Sequence, residues 1–554
     1  HEPPVRAHAA HVDTPKEKSL FEFAKRFLPL IYLAELASKI EANGLAKYAD
    51  GSGDRHYQNW RVTIDDVFQW IGAWLYMLAF HQPGGREQYF DDTPKEGVGP
   101  TYDLKKWLHI GHPGGRGIAW FNQMQACFDL PTYGKPDDKF DKVRYFWYSL
   151  RDGFLAAVTP GWIMCLDESM VKWLGRNMPG FMHVQRKPTP KGLELHTLCC
   201  ALCGILVWFE VYEGKEAMEK KEHCAEQKVL LGASGPWRSI ALTLRMIPSI
   251  LRNSGRVLIA DSWFGSVPCI LALYKVGIFA IMNVKTAHKG YPKDELLTKL
   301  GYDKKTKLCP KPRRGESYGY SRTYDLGGGD TCTVLAAGHN SKKPVLVVST
   351  ASTMTAADDY TKTWTIFNAV GEMVKYTIRV ATTMVHALYH RYYGVVDVHN
   401  HLRQGVVSFA EAWPTKEWST RHFARASASG KSTCTKLSAS GATTTTSASA
   451  TSRSASGSPM RSLPSARSPT LAVREKEVRE PHPPPSTTTS LCASRTTTTS
   501  TTSVASAPPR ATSTAARASP TAAPHTRSAT RRRTQTAWPS IWQVRSQSMG
   551  AVCR

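Results

Sequence analysis

Three aspartates stand where a carboxylate could do chemistry. Asp167 closes the apolar run Trp162-Ile-Met-Cys-Leu166, and Asp261 closes Arg256-Val-Leu-Ile-Ala260. Asp397 lies within Tyr392-Tyr-Gly-Val-Val-Asp-Val-His-Asn-His-Leu-Arg-Gln-Gly405. A carboxylate just past a buried strand sits at the C-terminal edge of a sheet, where α/β folds keep their sites. Three carboxylates at one edge repel one another unless cations neutralise them, and their hard oxygens suit Mg²⁺ or Mn²⁺. Two such ions about 3.5–4 Å apart can activate an attacking oxygen and stabilise the leaving oxygen of a phosphodiester. Taken singly, each Asp reads first as a helix N-cap or a turn residue. Only their convergence would make a site, so the elements that position them decide the matter.

Those elements fall into blocks. Phe21, Phe23, Phe27, Leu30, Tyr32, Leu36 and Ile40 recur at helical spacing within 19–48. Thr63-Ile-Asp-Asp66 is a capping-box pattern ahead of a second helix, and a third spans 143–158, so the region 18–158 reads as a helical domain. The grammar then changes to strands at 162–166 and 195–212, the latter long enough for two antiparallel neighbours. A helix at 237–252, a strand at 256–260, a helix at 267–276 and a strand at 278–284 complete a β-α-β crossover. Residues 159–285 therefore read as the first part of a mixed α/β core. Residues 286–363 read as a β insertion, with strands in 318–350 and a turn at Gly327-Gly-Gly-Asp330. Helical patterning is read from Trp364 through His390, and 364–425 completes the core around the third Asp. Residues 1–17 read as a disordered leader, and His-Glu-Pro-Pro at the start suggests a fragment or processed end rather than a signal peptide.

Composition sets limits on function. The chain has 554 residues, 71 basic against 45 acidic, and a formal net charge of +26. With 42% apolar residues it can bury a large core, which excludes a wholly disordered chain. The longest uncharged apolar stretch, Thr197 to Phe209, is too short to span a bilayer. Cys200-Ala-Leu-Cys203 has the spacing of a metal knuckle but lies inside an apolar run with no second pair nearby, so it reads as buried strand. Scattered cysteines suit a reducing, intracellular compartment. A basic protein around an acidic pocket is the charge arrangement of an enzyme that cuts nucleic acid.

The residues around the three aspartates resemble those of piggyBac-type transposases. Met164-Cys-Leu-Asp-Glu-Ser-Met-Val-Lys-Trp-Leu-Gly-Arg176 with Lys187-Pro-Thr-Pro-Lys-Gly192 is similar to the family's first catalytic block. Ile259-Ala-Asp-Ser-Trp-Phe-Gly-Ser266 resembles the second, and Tyr393-Gly-Val-Val-Asp397 with Asn400 and Arg403 the third. The resemblance covers about residues 20–425, with the blocks in the right order. It implies an RNase H-like core carrying a β insertion between the second and third Asp. It implies DDE/D chemistry in which Asp167, Asp261 and Asp397 hold two Mg²⁺ or Mn²⁺ ions, with Asn400 as a further ligand. It implies nicking of the transposon end, hairpin formation and joining at TTAA-type targets in double-stranded DNA, by a nuclear homodimer with no membrane partner. The family often has a further Asp where this chain has Asn400; an amide ligates Mg²⁺ without bringing charge. Glu168, pointing to the opposite face of its strand from Asp167, reads as outside the metal cluster. Trp263 and Phe264 read as core. Arg176, Lys187, Lys191 and Arg403 are candidate phosphate contacts, with a solvated basic face as the alternative for each.

From Ala426 the composition shifts. Residues 426–554 hold 17 Lys and Arg against 3 Asp and Glu, with no Asp, Asn, Phe or Tyr, so just over half of the net charge lies there. The segment reads as a disordered, low-complexity basic tail, with Arg531-Arg-Arg533 as a weak nuclear-targeting or phosphate-binding cluster. Cys434, Cys492 and Cys553 are too far apart for the zinc module with which such transposases commonly end. Three function classes follow: a piggyBac-like transposase, a catalytically inactive domesticated DNA-binding derivative, and a metal-dependent nuclease of RNase H-like fold. The abrupt change also motivates a hypothesis of a frameshift near Arg425. Translating the other two frames beyond that point tests it: a cysteine-rich reading is the expected result, and none in either frame would remove the idea.

Overall fold

The computed structural model describes residues 11–12, 25–48, 57–80, 85–90, 117–285, 290–367, 371–404 and most of 408–440. Four helices open it: α1 (Leu30–Ala46), α2 (Ile64–Ala79), α3 (Ile118–Cys127) and α4 (Asp141–Ala157). Helix α2 begins where the sequence places it. The Thr63 hydroxyl accepts from the Asp66 amide, and the Asp66 carboxylate accepts from the Thr63 amide at 2.7 Å. Two otherwise orphaned donors are thereby satisfied. Helix α1 is tied to the end of α3 by Asn43, whose side chain donates to the Cys127 carbonyl at 3.0 Å. Within the segment read as a leader only His11–Val12 is described, paired antiparallel with Val158–Thr159.

The centre is one nine-stranded mixed sheet. Its strands are β1 (Ile163–Lys172), β2 (Phe181–His183), β3 (Lys191–Cys200), β4 (Leu206–Val211), β5 (Val257–Ala260) and β6 (Phe279–Asn283), followed by β7 (Ser317–Gly327), β8 (Asp330–Asn340) and β9 (Pro344–Ser349). Strands β1, β3 and β4 form an antiparallel meander, while β5 pairs parallel with β1 and β6 parallel with β5. The order β4-β3-β1-β5-β6 is that of the RNase H-like core. Central position explains composition: Ile163–Leu166 and Val257–Ala260 are buried on both faces, and their sequences are continuous apolar runs. Helices α5 (Cys224–Leu231), α6 (Trp237–Arg245) and α7 (Val267–Lys275) lie between β4 and β6 in the chain. Helix α7 makes the β5-to-β6 crossover. Strands β7 to β9, expected from 318–350, join this same sheet by antiparallel pairing of β9 with β6. The Gly327–Gly329 turn uses positive φ at all three glycines, which a side chain would resist.

The segment read as helical from Trp364 is corrected. Strands β10 (Ala356–Phe367) and β11 (Met373–Thr383) form an antiparallel hairpin, and the helix, α9, begins only at Met384 and ends at Tyr392. (Helix α8 is Lys293–Lys299.) Val374, Tyr376, Ile378 and Val380 repeat at a period of two, the strand signal that decides the segment. Helix α10 (Val395–Gln404) follows, then α11 (Trp418–Ser440). Helix α11 continues past the compositional boundary at Ala426, with Ala428 and Ser429 buried, so the first 15 residues assigned to a disordered tail are helical. The remainder of that tail lies outside the described residues. Cys199 and Cys200 are fully buried, in accord with a packing role. Among the described residues, no helix is long and apolar enough to cross a membrane.

An aromatic cluster joins the last segments to the first helices. Trp413 stacks on Trp74 with centroids 5.2 Å apart and meets Trp70 edge-on at 4.9 Å, while Phe423 contacts Phe128 and Phe146. Trp413 is almost wholly buried, so Trp413→Ala removes a large ring from a close-packed site. Urea unfolding is expected to show a loss of about 3–5 kcal/mol. A change below about 1 kcal/mol would mean that the cluster does not hold the helices.

Candidate active site

The parallel register of β1 and β5 runs Ile163 opposite Val257 to Leu166 opposite Ala260. One step further come Asp167 and Asp261. Asp261 follows the end of β5, whereas Asp167, read from the sequence as closing its strand, lies in the middle of β1, which runs on to Lys172 against β3. Backbone pairing alone makes them neighbours where β5 ends. Beyond Ala260 the chain turns sharply. The Asp261 carboxylate accepts from the Trp263 amide at 2.8 Å, and its carbonyl accepts from the Phe264 and Gly265 amides. Gly265 permits the turn: a Cβ there would lie 1.7 Å from the Asn283 carbonyl oxygen of β6. Ser266 then caps α7 by accepting from the Cys269 amide. Asp261 thus combines the turn role with exposure at the edge.

Asp397 arrives from a different element. It lies exposed in the first turn of α10. Val396 of that helix is buried with Cys165 and Ile259 of the sheet, and the Cys165 thiol donates to the Tyr393 carbonyl at 3.4 Å. These contacts pin the start of α10 against β1 and β5, near the point where β5 ends. The electrostatics of Asp167 report the convergence. Burial first, and then the charges of Asp261 and Asp397, push its carboxyl up to about 7, against the opposing pull of the Glu168 amide and Lys187. A carboxylate held half-protonated near neutral pH by burial and two like charges favours divalent cations, and three Asp oxygen donors suit Mg²⁺ or Mn²⁺. Among the described residues, no group of three His, Cys, Asp or Glu side chains stands ready in ligand geometry. The donor chemistry fits, but the set is not closed up.

The other expected residues divide. Asn400 is brought to this region on α10, but its side-chain oxygen accepts from the Ser169 hydroxyl at 2.9 Å and from Arg403, and Ser169 in turn accepts from Thr197 at 3.0 Å. With two donors on it, that oxygen has little capacity left for a cation. Arg403 is corrected as a phosphate contact: it is buried, and desolvation pulls its guanidinium down to about 9. Its hydrogen bond to Asn400 makes it an internal strut. Lys187 lies close to the site, 3.3 Å from the Glu168 carboxylate. Arg176 and Lys191 are exposed. Glu168 is buried and paired with both Arg186, at 3.0 Å, and Lys187, so its charge is already answered. Arg186 escaped the sequence reading, although it stands next to Lys187 in a basic pair. Phe264 is core, as read. Trp263 is not: it is 43% exposed and stacks on His196 with centroids 5.5 Å apart.

The chain matches the family model described as Transposase IS4 over residues 121–428. Among solved structures it is similar to a piggyBac transposase determined by cryo-EM in a synaptic complex with hairpin DNA. The TM-score is 0.53, the identity is 14%, and 77% of each chain is covered, a likeness that shows the fold. No curated protein matches the chain. The family match stops within a few residues of the compositional change at Ala426.

The raised Asp167 carboxyl has a stability consequence with a definite sign. The folded state binds this proton more tightly than the unfolded chain, so ionisation destabilises the fold. That penalty is absent below about pH 4, grows as pH rises, and is complete above about pH 7. It amounts to roughly 4 kcal/mol for a shift from 3.8 to about 7. In metal-free protein, Asp167→Asn is therefore expected to gain stability over the parent from pH 5 to pH 8. Urea melts across that range check it, and a pH-independent difference would contradict the assignment.

Proposed function

The chain belongs to the Transposase IS4 family, and from that premise we propose that it is a piggyBac-type DNA transposase that cleaves and rejoins DNA strands at the Asp167–Asp261–Asp397 edge. The observation that carries this reading is geometric: the register of β1 with β5 sets Asp167 beside Asp261, and the packing of Val396 on Cys165 and Ile259 brings the start of the Asp397 helix to the same place. Three acidic groups supplied by β1, by the turn after β5 and by α10 share one field in a protein with a net charge of +26. These Asp side chains would hold two Mg²⁺ or Mn²⁺ ions, which when bound activate the attacking oxygen and stabilise the leaving oxygen of a phosphodiester.

The chain's own residues supply position. Pairing of β1 with β5 fixes Asp167 and Asp261 relative to each other. The Gly265 turn holds Asp261 at the edge, and α10 sets the approach of Asp397. Lys187 sits where its charge pulls the raised Asp167 carboxyl back down and can meet a DNA phosphate, and exposed Arg176 and Lys191 extend the same basic border. The partner is double-stranded DNA: transposon ends and a TTAA-type target, handled by a homodimer in the nucleus. Nicking, hairpin formation on the opposite strand and integration form the reaction sequence. The likeness to a transposase captured with hairpin DNA supports it at the level of fold.

A second reading has an observation of its own. Asn400 brings no charge, and its oxygen is occupied by Ser169 and Arg403. That arrangement favours a derivative that retains DNA binding with weakened cation affinity.

Purified protein incubated with linear duplex DNA and Mg²⁺ or Mn²⁺, followed on denaturing gels, separates these readings. The transposase yields nicked and hairpin products, and Asp261→Ala lowers their rate by roughly a hundredfold or more, since even outer partners of a metal ligand are worth about 10–100-fold. Nicks without hairpins would indicate a nuclease. Binding without cleavage would indicate the inactive derivative. Cleavage that survives Asp261→Ala would remove the assignment.

A further inference from the structure

A cavity of about 560 Å³, lined by none of the three aspartates, opens between α4, β4 and the segment from Arg245 to Arg252. Its volume is that of a ligand site rather than of a packing defect. Its floor is connected to the catalytic edge through the sheet: Phe209 of β4 is in register with Thr197 of β3, which is in register with Asp167. Two strand spacings separate them, or about 10 Å.

The charges around this cavity do not cancel. Arg144 is bonded to Asp138 and, at 2.7 Å, to Glu213. Arg245 donates to both oxygens of Glu210 at 3.1 and 3.0 Å. Lys221 bridges Glu210 and Glu213 at 2.8 and 2.7 Å. Those cations are matched. Arg151 and Arg252 are not. The carboxylate nearest Arg151 is Asp152, 4.0 Å away and 71% exposed, too distant for a hydrogen bond. Its guanidinium lies instead over Trp208, 3.9 Å from the ring centroid, and over Tyr148 at 4.6 Å. Arg252 reaches the ring of His223, at 3.4 Å, and that ring in turn lies 3.4 Å from the carboxylate of Glu222, which also lines the cavity and is 71% exposed. Both arginines also carry a buried Nε without a hydrogen-bond partner. A desolvated donor left unpaired is unfavourable, and both residues that carry one line this cavity. Stacking on Trp208 and Tyr148 holds the Arg151 fork rigid while leaving its N–H edge available, a geometry that suits phosphate oxygens.

We propose that this cavity is a phosphate-binding subsite for a DNA strand, with Arg151 and Arg252 receiving a backbone phosphate and the remaining volume accommodating its nucleotide. The proposal deepens the functional reading above by naming where the strand is held next to the cleavage edge. It is tested on binding rather than on cleavage, so the two can fail separately.

The experiment measures anisotropy of a labelled single-stranded oligonucleotide with full-length protein across a salt series. Arg151→Gln and Arg252→Gln are each expected to weaken binding by about tenfold and to lower the salt slope by about one counterion. Arg151→Lys, which keeps charge, is expected to restore part of the loss. Thermal melts of every variant ensure that a folded protein is compared. Competition with inorganic phosphate and with thymidine monophosphate distinguishes the sources of phosphate: weak competition by both supports a strand subsite. Full competition by either at its own site-saturating concentration, without oligonucleotide binding there, overturns it in favour of a small anion. A folded double variant with unchanged affinity and salt slope overturns it outright.

Discussion

Parallel pairing of β1 with β5 is the constraint on which the rest depends. It sets two carboxylates side by side at the end of a sheet whose interior cannot hydrate them, and burial with like charge makes that placement unfavourable in the absence of cations. Strain of this kind persists only when the surroundings over-determine it. They do so here from three directions. Apolar runs on both faces fix the strands, Gly265 lets the chain turn against Asn283, and Val396 and Cys165 anchor the helix that brings the third acid. The sheet supplies the energy that holds an unfavourable arrangement in place.

Much of this was legible because it rests on local signals. Continuous apolar runs of four or five residues announced the central strands. The Thr63 box announced a helix start that the structure forms with both reciprocal hydrogen bonds. The aspartates were legible by position, since each follows or adjoins such an element. What escaped depends on partners distant in sequence. Arg403 looks like a surface cation until α10 and α11 close over it. The oxygen of Asn400 looks free until Ser169, more than two hundred residues earlier, donates to it. Trp263 carries an apolar ring, and nothing local reveals that His196 covers only one face of it. The β10–β11 hairpin was missed for another reason: its alternation is diluted by threonines, whose hydroxyls pair across the strands, as Thr363 does with Thr377.

Charge divides along similar lines. The body carries its basic residues around an acidic edge, where Arg186 and Lys187 neutralise Glu168 and leave the aspartates as the unanswered negative centre. At the β4 side of the same sheet the imbalance reverses, with two guanidiniums unanswered. One sheet thus presents opposite electrostatic demands about two strands apart, one for cations and one for phosphate. On the function proposed above, a DNA strand neutralised by divalent ions would satisfy both at once.

The aromatic joint between Trp413, Phe423 and the first helices also governs when the molecule can become whole. Trp70 and Trp74 emerge from the ribosome hundreds of residues before the rings that pack on them. Until those arrive, the helical layer presents an open aromatic socket, and closing it requires a loop of more than three hundred residues. Completion is therefore deferred to the end of synthesis of the body. A nascent chain interrupted just before Trp413 would carry all three acids, since Asp397 precedes it, but in a shell whose aromatic joint was still open.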